Sequence, residues 1–216
     1  MESQFFNFFA DKSFIHINKF IPESKINLFL KEIEEKKDLT FKTTLEVNVN
    51  SNLEKDASGK SEIYSAGSII SYNDLGSESE IFNYYHNADL LTFIKNTTGE
   101  NCLLPYDIPF GAINVAIMKY GEYINEHFDF CTITGIIMLK TVTQGGVLYL
   151  YDNNGSKIQF DTFLPGDLIL LKGNLLKHAV SKICCNEERI TLLFAWVNDP
   201  NIKCSEEIRL LRYGKI

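Results

Sequence analysis

The stretch TITGIIMLKTVTQGGVLYLYDNNGSKIQFDTFLPGDLILLKGNLLKHAV, Thr132–Val180, decides the fold. It is a series of short apolar runs cut by turn formers: "QGG", "DNNG" and "LPGD". The runs are too short for helices and too closely spaced for helical crossovers, so they read as antiparallel strands of a sandwich or barrel. The same texture begins at about Phe110 with "AINVAIMKY" and ends with "ITLLFAWV". A jelly roll, or double-stranded β-helix, accommodates such a series.

Ahead of it the pattern changes. In "FIPESKINLFLKEIEEKKD", Ile26, Phe29, Leu30 and Ile33 form one apolar stripe of a helix. "FKTTLEVNVN" alternates like a strand, and "SESEIFNYYHNADLLTFIKNTTG" reads as a second helix capped by Ser77 or Ser79 and closed by Gly99. The polar loop Asn50–Ser61, with Gly59, is a candidate lid. The tail "CSEEIRLLRYGKI" suits a short closing helix. The expected class is mainly β with N-terminal helices (α+β), in one domain: residues 1–109 helical and lid-forming, 110–197 the jelly-roll core, 198–216 the tail.

Composition narrows the function. The 216 residues are 45% hydrophobic and 23% charged, ordinary for a globular domain. A net charge of −7 argues against a phosphate-tracking nucleic-acid protein. No run approaches the ~18–20 apolar residues of a membrane helix. The N-terminus lacks signal-peptide features, so no membrane contact and a cytoplasmic location are expected. Five cysteines without CxxC spacing suggest free thiols, with Cys184 and Cys185 in a turn.

The chemistry concentrates in "GEYINEHFDF", Gly121–Phe130. On a strand end, residues i and i+2 share a side, so His127 and Asp129 present an imidazole and a carboxylate to one small volume. These are two of the three ligands of a 2-His-1-carboxylate site for non-haem iron. His16, His86 and His178 remain as sources of the third. His178 belongs to the β-rich half, where a late strand can lie beside an early one. His16 and His86 read as structural. Arg189, eleven residues after His178, suits an anionic co-substrate, and Thr191 would face the same way. Trp196 belongs to the core or to a substrate pocket.

The blocks "YGEYINEHFD", "TITGIIMLK", "QGGVLYLY", "LPGDLILLKGNLLKHAVSKI" and "ERITLLFAW" together resemble the 2-oxoglutarate and iron(II)-dependent oxygenases. They are most similar to the prolyl-4-hydroxylase-like branch and related small amino-acid hydroxylases. The resemblance covers residues 110–197. It implies iron ligation by His127, Asp129 and His178, and it assigns the far carboxylate of 2-oxoglutarate to Arg189, with Thr191 beside it. Tyr120 would help hold that carboxylate, and Thr134 would face the cavity. Fe(II), 2-oxoglutarate and O2 are the implied cofactors, with ascorbate an optional reductant. A carboxylate at Asp129 implies hydroxylation rather than halogenation. The short link from Asp129 to Thr134 departs from collagen-type hydroxylases. The expected substrate is an amino acid, free or in a peptide, and the acidic balance favours a cationic one such as lysine or arginine. A nucleobase demethylase of the same chemistry and a catalytically inactive binding jelly roll are the alternatives.

Overall fold

A computed structural model describes residues 2–44, 66–106, 111–152, 155–202 and 206–214. The elements run α1 (Glu2–Lys12), β1 (Phe14–Ile17), α2 (Glu23–Glu35), β2 (Phe41–Thr44), β3 (Ala66–Ser71), α3 (Tyr72–Leu75), α4 (Glu80–Tyr85), α5 (Ala88–Thr98) and β4 (Leu104–Pro105). The β-rich part follows with β5 (Ile113–Met118), β6 (Ile124–His127), β7 (Ile133–Lys140), β8 (Leu148–Tyr151), β9 (Lys157–Phe160), β10 (Leu168–Leu171), β11 (His178–Val180) and β12 (Arg189–Val197), and α6 (Glu206–Tyr213) closes the chain. The candidate lid, Asn50–Ser61, lies outside the described residues.

Two antiparallel sheets face each other. The larger runs β1-β10-β7-β12-β5-β3-β2, with β4 added beside β12, and the smaller runs β6-β11-β8-β9. Neither sheet closes on itself, and the pair forms a jelly-roll core. The N-terminal part is not only helical. Its β1 extends one edge of the larger sheet, and β3 and β2 extend the other. Those strands are short and half-covered, so their periodicity is faint.

The period-two alternation of the larger sheet separates a structural face from a chemical one. On β5, Ile113, Val115 and Ile117 point to the helices, while Asn114, Ala116 and Met118 line a cavity between the sheets. On β12, Ile190, Leu192 and Trp196 join the helical side, while Arg189, Thr191 and Leu193 line the cavity. The helical side is a core of Phe9 from α1, Phe29 and Ile33 from α2, Ile81 and Tyr85 from α4, and Ile94 from α5. The Tyr85 hydroxyl donates to the Ala195 carbonyl and accepts from the Tyr106 amide, pinning α4 to β12. A second core between the sheets includes Ile136, Met138, Leu148, Leu150, Ile169 and Val180.

The helix expected over residues 77–99 is two helices. Asn87 breaks the run, because its side chain caps the Asp89 and Leu90 amides and so starts α5 afresh. Ser79 caps α4 by accepting from the Phe82 amide, and Gly99 ends α5 in the left-handed region at φ 73°. The tail helix is present as α6. No helix among the described residues is long and apolar enough to cross a membrane.

Candidate metal centre

The smaller sheet aligns the two imidazoles. His127 on β6 pairs directly with His178 on β11, and antiparallel partners hold their side chains side by side. Their ring centroids lie 4.2 Å apart. Asp129 follows β6 by two residues, and its amide donates to the Gly173 carbonyl at 2.9 Å. Its carboxylate lies 3.7 Å from His127 Nε2 and 3.4 Å from His178 Nε2. First-row divalent ions sit about 2.0–2.2 Å from N and O ligands, so ligands at right angles are about 3 Å apart. The triad is therefore close to the spacing a single ion needs, and its candidate ligand atoms all lie within 4.8 Å of one another.

Backbone carbonyls set the imidazole tautomers. His127 Nδ1 lies 2.8 Å from the Asn125 carbonyl, and His178 Nδ1 lies 3.1 Å from the Leu176 carbonyl. A carbonyl only accepts, so each Nδ1 carries the proton and each Nε2 lone pair points at the centre. Burial and the neighbouring His178 hold His127 well below the ordinary imidazole pKa, which keeps it neutral and ready to ligate. Burial opposes ionisation of Asp129, but His178, His127 and the Thr134 hydroxyl outweigh it and hold the carboxyl below its usual range.

The sign of the resulting pH dependence follows. Histidine titrates near 6.5 in an unfolded chain, which therefore takes up a proton that folded His127 resists. Stability of the metal-free protein will fall as pH drops from about 7.5 towards about 3, the value His127 takes in the fold. His127→Gln will flatten that profile by up to about 1.4 kcal/mol per pH unit, read from unfolding midpoints at each pH.

Thr134 lines the cavity on β7 and donates its hydroxyl to Asp129 Oδ2. Gly173 makes room for this pair. A Cβ there would clash with Thr134 Oγ1 and stand 2.9 Å from Asp129 Cβ. Gly173→Ala should keep the fold while displacing the carboxylate, weakening metal affinity about 10–100-fold in a direct titration.

Arg189 and Thr191 line the same cavity as the triad. The guanidinium is 2% exposed, and its one hydrogen bond among the described residues runs from Nη1 to Thr191 Oγ1 at 3.4 Å. Nε and Nη2 are buried without a partner among the described residues. Burial pushes its pKa down to about 10, which leaves it a cation at neutral pH. The "QGG" turn shapes this pocket. Gly146, at φ 64°, lets the loop pass over the arginine stem, where a Cβ would meet Arg189 Cδ at 3.0 Å.

Tyr120 does not join them. It occupies the turn between β5 and β6, where the Glu122 amide donates to the Lys119 carbonyl and Gly121 takes φ 84°. A central turn position points outward, and Tyr120 is 67% exposed. His16 pairs with Asp167 at 2.9 Å, and His86 with the Tyr72 hydroxyl at 3.2 Å, both away from the cavity. Trp196 lies in the helical core against Gly135 and Tyr85. Cys102, Cys131, Cys184 and Cys185 are free thiols.

Asn114, Cys131 and Arg212 are among the lining residues that were not singled out from sequence. Cys131 Sγ lies 3.0 Å from Thr134 Oγ1, and burial raises its pKa so that it stays a neutral thiol. Only the strand alternation around "INVAIM" could have placed Asn114 inside; nothing in the tail could have placed Arg212.

Neither a protein-family model nor a curated protein matches the chain. Solved structures do. A prolyl-4-hydroxylase of Pseudomonas putida superposes with TM-score 0.63 over 91% of this chain and 98% of its own, at 15% identity. This chain therefore has the fold of the 2OG-Fe(II) oxygenases. A prolyl hydroxylase of Trichoplax adhaerens, in complex with a hypoxia-inducible-factor peptide fragment, aligns over 90% of this chain and 88% of its own, with TM-score 0.62 and 17% identity. The epimerase SnoN, in complex with Fe3+, alpha ketoglutarate and nogalamycin RO, aligns over 91% and 83%, with TM-score 0.65 and 8% identity. The jelly-roll expectation is thereby met, and the prolyl-hydroxylase-like resemblance extends well beyond residues 110–197.

Proposed function

We propose that this protein is a non-haem Fe(II)- and 2-oxoglutarate-dependent dioxygenase that hydroxylates an unactivated C–H bond of an amino acid, free or in a peptide. The observation that carries this reading is the buried guanidinium of Arg189. A buried, unpaired cation is costly, and chains retain one where an anion completes it. Here it shares one cavity with two imidazoles and a carboxylate, the donor set of a facial iron site.

His127 Nε2, His178 Nε2 and one Asp129 oxygen would hold the iron. Arg189, steadied by Thr191, would grip the far carboxylate of 2-oxoglutarate with its fork of donors. When bound, iron and 2-oxoglutarate supply the oxidising power for C–H hydroxylation, with conversion of 2-oxoglutarate to succinate and CO2. The chain's own contribution is placement and dryness. Thr134 orients Asp129, the two backbone carbonyls fix the imidazole tautomers, and Met118, Ile136, Leu148, Val180 and Leu193 line the cavity with apolar surface. Asp129 and both imidazoles, committed as ligands, would not serve as a general base.

Turnover against amino acids and short peptides, with 2-oxoglutarate and Fe(II), tests the reading. Succinate should form together with a product one oxygen heavier. Succinate with a product of unchanged mass would point to an epimerase-type outcome instead. No succinate with any member of the panel would count against the assignment.

A further inference from the structure

We propose that Asn114 of β5 reads the substrate, and that it takes a neutral donor, the amide N–H of an acylated amine, rather than a bare ammonium. This rests on the oxygenase reading above and names the substrate class of that site. Asn114 is 8% exposed, lines the cavity, and its Oδ1 is buried with no partner among the described residues. Buried acceptors in folded proteins are paired, so one left open beside a cavity asks for a donor from what enters it. The flanking strands do not supply one. Ser71, directly opposite on β3, donates its hydroxyl to Asp74 Oδ2 at 2.6 Å. Leu193, directly opposite on β12, is apolar.

The register places this acceptor beyond the co-substrate. The cavity-facing residues of β12 run Arg189, Thr191, Leu193 and Ala195, and β5 sets Met118 opposite Arg189, Ala116 opposite Thr191 and Asn114 opposite Leu193. The Arg189 and Asn114 rows are thus about 13 Å apart at the usual rise of a strand. A five-carbon diacid gripped at Arg189 ends well short of that. The metal side is nearer. Thr134, which holds Asp129, stands opposite Ala195, one cavity-facing row past Leu193. Asn114 therefore faces the part of the cavity where a substrate lies beside the triad.

Within the amino-acid reading, the donor next to the α-carbon is either the ammonium of a free amino acid or the amide N–H of an acylated one. A buried ammonium is costly without an acid beside it, whereas an amide N–H needs one acceptor. Asp129 is the only carboxylate among the described lining residues, and it belongs to the candidate metal site. The hydroxyls are engaged or turned away. Thr191 accepts from Arg189, and Thr134 donates to Asp129. Alternation on β3 turns Ser68 away from the side of Ile69, whose partner Ala116 faces the cavity. Ala116, Ile69 and Leu193 are the apolar neighbours of Asn114 on this face. One acceptor in an apolar wall fits one neutral donor. The expectation of a cationic substrate, drawn from the net charge of −7, gives way, because the acidic residues behind that charge do not line this wall.

The test is binding rather than turnover. The protein is loaded anaerobically with Fe(II) and 2-oxoglutarate, and shifts of the iron–2-oxoglutarate charge-transfer band are followed as ligand is added. The common L-amino acids are titrated in three matched forms: free, N-acetylated, and N-acetylated with the amide nitrogen methylated. The wild type should bind at least one acetylated form about five- to a hundredfold more tightly than its free and methylated counterparts, the range expected when a buried acceptor is otherwise left unpaired. Acetylproline, which has no amide N–H, should bind like the methylated forms. Capped tripeptides of the tightest residue then separate a peptide from a small acylated amine as the source of the N–H. Asn114→Leu keeps the size of the side chain and removes the acceptor. It should bind acetylated and methylated forms equally, with 2-oxoglutarate affinity within about twofold of the wild type. Asn114→Asp supplies an acid and should shift the preference toward the free ammonium form. Equal wild-type binding of acetylated and methylated forms, tighter binding of the free forms, no binding of any member, or an N–H preference that survives in Asn114→Leu overturns the Asn114 assignment and leaves the oxygenase reading intact. Loss of 2-oxoglutarate affinity in Asn114→Leu as large as in Arg189→Met would place Asn114 on the co-substrate, and so would also overturn it. A wild type that forms no band with Fe(II) and 2-oxoglutarate overturns both.

Discussion

Asp129→Gly and His178→Ala will each abolish succinate formation, and both will bind Fe(II) far more weakly than the wild type. The three ligand atoms come from one direct cross-strand pair and one turn residue, so each removal leaves a two-ligand site. Outer-shell changes at metal sites cost about 10–100-fold in affinity, and loss of a ligand should exceed that. The two variants separate at the level of fold. His178 is 5% exposed within β11, so its truncation leaves a small gap under Leu150 and His127. Asp129 sits in a turn, and its removal frees the Thr134 hydroxyl and relieves the buried carboxylate. The Asp129→Gly protein should therefore remain folded by circular dichroism while losing iron. Folded protein that retains full turnover would show that Asp129 is not a ligand.

Arg189→Met gives the second large effect, with opposite signs for stability and function. The guanidinium is buried, and two of its nitrogens have no partner among the described residues. Replacing a buried charge by an apolar side chain of similar length is often stabilising by about 1–4 kcal/mol. The variant should unfold at higher temperature than the wild type when neither is given ligand. Adding 2-oxoglutarate with a divalent ion should reverse the order. A wild type at a hundredfold excess over its dissociation constant gains about 2.7 kcal/mol, and the variant should gain little. Thermal unfolding with and without 2-oxoglutarate reads both halves. A variant destabilised without ligand would mean that the arginine stem, seated under Gly146, contributes more by packing than the charge costs.

Much of this was legible in the residues. The β-rich half announces itself through short runs and turn formers, because turns favour the backbone chemistry of glycine, proline, asparagine and aspartate. His127 and Asp129 were legible as a pair because strand geometry puts i and i+2 on one side. His178 was harder: its place opposite His127 depends on which strands are neighbours, and periodicity does not contain that information. β1 and β3 went unread for a related reason. Each is short, with burial set by the sheet edge it joins and not by its own pattern. Tyr120 was placed inside from the resemblance, but the tight Lys119–Glu122 turn throws it outward. Asn114 and Arg212 are ordinary residues locally, and only the packing of β5 and α6 brings them to the cavity wall. Gly173 is similar. It reads as a turn former in "LKGNLLKH", yet what it supplies is space beside Asp129.

The central claim is that two imidazoles and one carboxylate converge on a single ion, with a buried cation placed to receive a dicarboxylate. An anaerobic titration with Fe(II) and then 2-oxoglutarate, followed by visible absorbance, tests it most directly. The account predicts one iron and one 2-oxoglutarate per chain, a charge-transfer band, loss of iron in His178→Ala, and loss of 2-oxoglutarate but not iron in Arg189→Met. Iron binding that is unaffected by His178→Ala, or 2-oxoglutarate binding that is indifferent to Arg189, would contradict it.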